Sequence, residues 1–382
     1  MKVAQVAEFL NTTMGEYLGE DTIIAEDLSN FIDFGRSFTA TATADDTDRF
    51  MKKLGDKVAK QIFVDRVYES EMPYILRDGS EWGSVVEKTR ITPRDFEENF
   101  VWELEPGEKY DEFLTFKPNT AVVKYFNSKV TYRIPLEITR TQVRESMISA
   151  DAFMRFVNAL EVNVKNQLTI AFEIMGQRLI NGMIAYRAKA NQTVNLITLY
   201  NSTREQAEQI TAQDAMNGNT AFWRFAARTI MDYSDLMAKM STKYNDGTVQ
   251  TFTPKSMQYL TMMSLAGKVI DTELYSQTYH DEFLKIGKYD TVAYWQATDA
   301  NNSFTARSQI IAKPTGAQSV EPTTVNNVIG ILRDRDALAI FNYEQDTTAF
   351  TNPSTRVTRY NYFNDLSLFA DPSENFVVFT LN

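Results

Sequence analysis

Residues 122–160, VVKYFNSKVTYRIPLEITRTQVRESMISADAFMRFVNAL, decide the fold, because the apolar period changes inside them. From Val130 to Ile138 the apolar side chains Val130, Tyr132, Ile134, Leu136 and Ile138 alternate with Thr131, Arg133, Pro135 and Glu137. A repeat of two marks a strand with one buried face. Pro135 has no N–H to give to a ladder, which assigns the strand to a sheet edge or a bulge. Beyond Ser149 the repeat becomes three and four: Phe153, Phe156, Val157, Leu160, Val164, Leu168, Phe172, Met175 and Leu179 share one helix face. Ser149 is suited to cap that helix and Asp151 to its positive end. Carried to about Tyr186, the helix is roughly 55 Å long at 1.5 Å per residue, a strut rather than an ordinary globular helix. Gly176 and Gly182 predict a bend or a close backbone approach near its far end. The stripe lasts too few heptads, with too few flanking charge pairs, for a coiled coil.

Upstream of this passage the pattern is extended. Gly79 and Gly83 bracket the approach to a β-prone run, Val85 to Ile91, and Val122 to Phe126 forms a second run before the turn residues Asn127 and Ser128. Between the runs lies DFEENFVWELEPGEKYDEF (95–113), where eight carboxylates (Asp95, Glu97, Glu98, Glu103, Glu105, Glu108, Asp111, Glu112) face one lysine, Lys109. Phe96, Phe100, Trp102, Leu104, Phe113 and Phe116 are interleaved with the acids, which a purely solvated strip would not need. Further back, Val3, Val6, Phe9 and Leu10 give a short helical face. A second apolar-periodic segment spans Asp46 to Val64, and SFTATATADDTD (37–48) is the linker between them. Such an arm has too little core of its own and must lie on something else.

Downstream, elements are shorter. A helix is expected over Ala221 to Met240, with Phe222, Phe225, Ala226, Thr229, Ile230, Tyr233, Leu236 and Met237 on its apolar side. Asp246-Gly247 and Asn217-Gly218-Asn219 read as turns, and Thr253-Pro254 as the opening of a helix through Leu265. Asp299 to Asn302 and Lys313 to Asn327 read as loops. Strands are expected at Val328 to Leu332, Ala337 to Tyr343, Thr347 to Thr351 and Phe376 to Leu381. The class is α+β.

Composition removes several chemistries. With 382 residues and 43% hydrophobic side chains the chain can bury two or three lobes, and extensive disorder is not expected. The absence of cysteine excludes disulfides, thiolate metal sites and cysteine nucleophiles, and suits a reducing cytoplasm. The single histidine, His280, sits in a Tyr279-His280-Asp281-Glu282 setting that reads as surface. One histidine supports neither a His-rich metal site nor a catalytic triad with a spare. The carboxylate pairs Asp334/Asp336 and Asp281/Glu282 come without a base, a metal set or a phosphate loop. No catalytic, cofactor-binding or metal residue is therefore assigned. Thirty-nine basic against fifty acidic residues leave a net charge of −11, opposed to tight nucleic-acid binding. No run of about 18 apolar residues or signal-like block exists, so no membrane partner is expected.

The order of elements resembles the major capsid proteins of tailed bacteriophages, whose fold is shared with encapsulins and the floor of herpesvirus capsids. The resemblance rests on the arm, the extended loop, the passage 122–160 and the tail GILRDRDALAIFNYEQDTTAFTNPSTRVTRYNYFNDLSLFADPSENFVVF (330–379). In that tail Asp334 and Asp336 precede an Ala-Leu strand, followed by an Asn-Pro turn, a Tyr-Asn-Tyr-Phe run and a last apolar strand. The resemblance implies an N-terminal arm (1–76), an extended β-loop (77–130) and a peripheral domain (131–192) with a spine helix over about 150–187. It further implies an axial domain with a central sheet (193–330), and C-terminal strands (331–382) completing both domains. It also implies a virion protein, assembled in the host cytoplasm, that forms hexamers and pentamers of an icosahedral shell. The shell would enclose double-stranded DNA without reading its sequence. Some relatives carry a scaffolding segment that a protease removes; the first stretch here is too short and apolar-striped for one, which implies a separate scaffolding protein, beside a portal. Lys109 and Lys117 sit in the loop where some relatives crosslink, and read more simply as solvated lysines. An encapsulin-like compartment shell, and a tail or portal subunit, are the alternative readings.

Shell building points to particular residues. The loop residues Glu97, Glu98, Phe100, Trp102, Glu103, Phe113 and Phe116 are expected to lie across a neighbouring subunit, aromatics inward. The carboxylates would face basic residues such as Arg133, Arg140, Arg144, Arg155, Arg356 and Arg359. Surface ion pairs contribute about 0–1 kcal/mol each, so apolar burial would carry affinity and charge would set register.

Overall fold

The computed structural model describes residues 75–78, 86–91, 106–107, 121–126, 128–146, 150–275, 289–296, 303–316, 321–352, 354 and 357–382. The expected N-terminal arm, most of the loop 92–120, Ser149, His280 and Asp299 to Asn302 lie outside these residues.

The chain divides into two units, of which the first takes residues 129–175 and 342–366 among those described. The alternating run folds as the strand Lys129–Thr139, with Ile134, Leu136 and Ile138 buried and Thr131, Arg133, Pro135 and Glu137 exposed. It occupies the edge of a four-stranded sheet, beside Val357–Ala370, then Leu338–Asn352, then Leu76–Asp78. Pro135 thus lies on an edge strand, where a residue without an N–H is tolerated. Two side-chain pairs fix the neighbouring register: Asn364 Nδ2 donates to the Tyr132 hydroxyl at 2.9 Å, and Arg359 Nε donates to Glu137 Oε1 at 2.7 Å. One partner number rises as the other falls, so these strands run antiparallel, and Tyr360 and Tyr362 lie on the second of them. Both tyrosines are buried. Onto this face packs the helix Ala150–Lys189, whose Val157, Val164 and Phe172 are buried; Phe172 meets Tyr132 edge-on at 6.2 Å between ring centroids. At 40 residues the helix is about 60 Å long.

The second unit takes residues 75–128, 176–341 and 367–382. Its centre is a five-stranded sheet in the order Thr193–Asn195, Phe376–Thr380, Val328–Asp334, Gln258–Met263, Asp290–Val292. The inner three strands pair antiparallel and the two outer ones parallel to their neighbours. Val328–Asp334 and Phe376–Thr380 are buried along their whole length. The helix Thr220–Met237 opens at Asn219, whose Oδ1 accepts the Phe222 N–H at 3.0 Å. It buries Phe222, Trp223, Ala226, Ala227, Ile230 and Met237. The expected stripe holds at Phe222, Ala226, Ile230 and Met237; Trp223 and Ala227 join it, the Trp223 indole N–H donating to Ala215 O at 2.8 Å, while Leu236 stays exposed.

Three expectations need correction. Residues 258–263 form a strand rather than a helix, because a strand covered on both faces is a continuous apolar run without a repeat. The helix begins only at Ser264 and ends at Tyr275. The two strands expected at 337–343 and 347–351 are one strand, Leu338–Asn352. Thr323–Val325, placed in a loop, pairs antiparallel with Ile310–Ala312.

The long helix does not break at Gly182. Instead the Thr315 N–H donates to Gly182 O at 3.0 Å, and a Cβ at Gly182 would lie 3.0 Å from Thr315 Oγ1 and 3.5 Å from Lys313 O. The close approach predicts a graded response. Gly182→Ala should be near neutral, because the Thr315 hydroxyl can rotate away and alanine gains about 1 kcal/mol of helix propensity. Gly182→Val should cost about 1–3 kcal/mol by driving a branched side chain toward the Lys313 carbonyl. Urea unfolding of the two variants measures the difference. Just past the helix end at Lys189, Asn191 is left-handed at φ 55°, with the Gln192 N–H returning to Arg187 O at 2.9 Å.

Candidate functional site

The two extended runs that flank the acidic loop form a ribbon of their own. Val86–Ile91 and Ala121–Phe126 pair antiparallel, from Val86 opposite Phe126 to Ile91 opposite Ala121, and neither ladder extends to a third strand among the described residues. The residues that flank 92–120 are therefore held side by side. Within them only Pro106 and Gly107 are described, as an exposed turn whose Gly107 has φ +105°, a conformation glycine adopts without strain.

The two faces of the ribbon differ. Glu87, Thr89, Ile91, Ala121, Val123 and Tyr125 point outward, with Ile91 at 64%, Val123 at 41% and Tyr125 at 67% exposure. Lys88, Arg90, Val122, Lys124 and Phe126 point inward, onto the body of the second unit. Lys88 donates to Asp371 Oδ2 at 2.8 Å and also pairs with Glu374. Arg90 pairs with the same Glu374 and reaches Ser373 O at 3.4 Å. Lys124 donates to Asp246 Oδ2 at 3.1 Å and stands 3.6 Å from Asp371 Oδ1. The apolar contribution is Phe126 against Phe369, centroids 4.4 Å apart, with Lys88 Nζ 5.8 Å from the Phe369 ring centre.

The carboxylates come from one tight turn and one loop. In Asp371-Pro372-Ser373-Glu374, Asp371 Oδ1 accepts from Ser373 N at 3.0 Å and Ser373 Oγ at 2.6 Å. Asp246 follows the buried Asn245 and is tied to the turn by its own N–H, which donates to Pro372 O at 3.0 Å. Below the turn lies Arg187, fully buried, donating to Pro372 O at 2.9 Å, Glu374 O at 3.0 Å and Gln192 Oε1 at 2.6 Å. A chain of buried polar groups continues from Asn245 through Thr251, Asn375 and Thr253 to Asp334. The turn thus joins the ribbon, the end of the long helix and the central sheet.

Burial alone would push the Asp371 carboxyl up, but the Lys88 charge and hydrogen bonds from Lys88 and Ser373 outweigh it and hold the group below the ordinary carboxylate value. Asp246 behaves alike: burial raises it, and hydrogen bonds from Thr248 and Lys124 with the Lys124 charge bring it down. Asp334 goes the other way, since burial outweighs the hydrogen bonds from Thr253 and the Asp336 N–H. A depressed carboxyl contributes stability that is complete above its unfolded value of about 3.9 and is lost as pH falls through the folded value. For the raised Asp334 the contribution is complete below the unfolded value and lost as pH rises through the folded one. The ribbon contacts should therefore hold steady from pH 5 to 8 and weaken only below about pH 4. Urea midpoints measured from pH 3 to 7 test this; a decline already under way at pH 6 would contradict it.

Of the residues anticipated from sequence, Glu97, Glu98, Phe100, Trp102, Glu103, Phe113, Phe116 and Arg356, with Lys109 and Lys117, lie outside the described residues. The side chains of Arg140 and Arg144 do too. Arg133 is exposed on the edge strand and Arg155 on the long helix. Arg359 is about half exposed and engages Glu137 of its own unit. Lys88, Arg90, Lys124, Asp371 and Glu374, and Asp246 beyond its turn, are not among the residues anticipated from sequence. Their signal was an alternation of inverted polarity, in which the charged positions 88, 90 and 124 face inward. Among the described residues no cluster of three or more metal-ligating side chains occurs, and no helix is long and apolar enough to cross a membrane.

A long helix beside a sheet, a second sheet-centred unit and a separate two-stranded ribbon are the parts expected of the capsid fold of tailed phages. A chain of the capsid structure of Staphylococcus phage Andhra has the same fold, with a TM-score of 0.51 at 10% identity, over 84% of this chain and 86% of that one. A chain of the structure of head fiber and inner core protein gp22 of native bacteriophage P68 gives 0.50 at 11% identity, again over 84% and 86%. The family model for the Phi29-like phage major capsid protein matches residues 9–380, and the chain belongs to that family. It is a major capsid protein of tailed phages. No curated protein sequence matches it.

Proposed function

We propose that the subunit builds, as hexamers and pentamers, an icosahedral shell around double-stranded DNA, and that its part in the virion is structural and not enzymatic. Family membership over residues 9–380 is the observation that carries this reading. Assembly takes place in the host cytoplasm with a separate scaffolding protein and a portal. The net charge of −11 suits a wall past which DNA must slide without sticking. The proposed division of labour keeps the arm (1–76) and the loop (77–130) for contacts with neighbours. The peripheral domain (131–192), the axial domain (193–330) and the last strands (331–382) form the subunit body.

In this reading the ribbon carries Glu97 to Phe116 onto an adjacent subunit, and its exposed outer residues Ile91, Val123 and Tyr125 extend the apolar surface. Arg133, Arg144, Arg155, Arg356 and Arg359 are the basic residues proposed to receive the loop carboxylates. Negative-stain microscopy of the purified chain with its scaffolding protein tests the proposal. Closed spheres are expected; tubes, rings or persistent monomers would overturn it.

A further inference from the structure

We infer that the ribbon Val86–Ile91/Ala121–Phe126 is a hinged lever held down by an electrostatic latch, and that Glu374 is the residue whose charge keeps it closed. The inference rests on the reading of 92–120 as the segment that reaches a neighbour, and adds how its direction is set.

Four observations support it. First, the ribbon's backbone pairs only with itself among the described residues, so no ladder fixes it to the body. Second, its inner face is held by ion pairs: Lys88, Arg90 and Lys124 meet Asp371, Glu374 and Asp246, beside the half-buried Val122 and the ring contact Phe126–Phe369. Third, the outer side chains Glu87, Thr89, Ile91, Ala121, Val123 and Tyr125 are exposed, so the described residues do not clamp the ribbon from that side. Fourth, in these ion pairs the cations Lys88, Arg90 and Lys124 belong to the ribbon and the carboxylates to the body, so the pairs can part along one surface.

Parting leaves both halves intact. The ribbon keeps its own cross-strand bonds. The turn 371–374 keeps the Asp371–Ser373 bonds and the Arg187 bonds to Pro372 O and Glu374 O. Glu374 is central because it alone serves both Lys88 and Arg90, and its side chain is 5% exposed. Charge pairs of this kind fix register strictly, because a displaced ribbon leaves several charges unpaired at once. The closed latch therefore gives 92–120 one take-off direction, and an open one gives it many.

The absence of native cysteine makes the test direct. Nitroxide labels at Thr89→Cys, on the outer face, and Lys239→Cys, exposed in the same unit, report the ribbon-to-body distance in the full unassembled chain by pulsed electron paramagnetic resonance. A second pair, Lys239→Cys with Thr324→Cys, stays within the body. The parent should give one narrow ribbon distance at 0.1 M salt. Glu374→Gln should raise the displaced population at least tenfold with the body pair unchanged. In the parent, 1 M salt should raise it severalfold, as the screening length falls to about 3 Å. An unchanged ribbon distance in Glu374→Gln overturns the latch. If that variant also broadens the body pair, the parent's salt series decides, and a distance that stays fixed to 1 M overturns it. The shell reading is judged separately, by microscopy. A latch that opens in a chain that never forms shells removes that reading alone, and shells from a chain whose ribbon never moves remove the latch alone.

Discussion

Replacing Arg187 by alanine is expected to lower the stability of the second unit by about 3–5 kcal/mol, the largest effect foreseen for a single side chain. Arg187 is fully buried and makes three hydrogen bonds, to Pro372 O, Glu374 O and Gln192 Oε1. Desolvation lowers its pKa to about 10, against the raising influence of Tyr186, Asp246 and Asp371, so it remains a cation at neutral pH. Alanine would take this donor from Glu374 O and Gln192 Oε1, leave Pro372 O with only the Asp246 N–H, and leave the nearby carboxylates without their underlying charge. Each orphaned group costs about 1–3 kcal/mol. Arg187→Lys keeps the charge but replaces a fork that spans two carbonyls with a point donor, and should recover only part of the loss. Hydrogen exchange of the strand Phe376–Thr380 measures this locally; protection should fall in Arg187→Ala and lie between the two in Arg187→Lys. Parent-like exchange in Arg187→Ala would refute the account.

The second large effect concerns assembly. Phe100→Ala combined with Trp102→Ala should abolish closed shells while leaving a folded, soluble subunit. Buried aromatic anchors at interfaces commonly contribute 2 kcal/mol or more each, whereas rim carboxylates contribute about 0–1 kcal/mol. A deficit of about 4 kcal/mol recurs at every copy of the contact around a shell, and closure needs nearly all of them. Microscopy supplies the particle count and circular dichroism the check on folding. Replacing Glu97 and Glu98 by glutamine should slow assembly and change its salt dependence without abolishing it. Intact shells from the aromatic double variant would remove the loop from the interface.

Much of the fold was legible where a single period dominated. The strand Lys129–Thr139 shows one buried face, and the helix from Ala150 shows one stripe, so periodicity alone located both within a few residues. Legibility failed where both faces of an element are covered. Gln258–Met263 carries Leu260, Met262 and Met263 with a buried threonine, and such a run has no repeat to separate strand from helix. It failed again in the ribbon, for a different reason. Pattern reading assumes that charged residues face water, yet Lys88, Arg90 and Lys124 face inward because the body supplies Asp371, Glu374 and Asp246 from positions far along the chain. Nothing local to residues 86–126 announces those partners. The pair Asp371-Pro372 is ordinary turn chemistry in the sequence, but its role as the seat of the ribbon depends on Arg187 beneath it.

The pairing of Ile91 with Ala121 has a consequence for the entropy of docking. A segment as long as 92–120 carries a length-dependent closure cost of about 3 kcal/mol when its ends are brought together. Here the ends already meet inside the folded subunit, so that loss is incurred once, when the single chain folds, and does not recur when one subunit settles on the next.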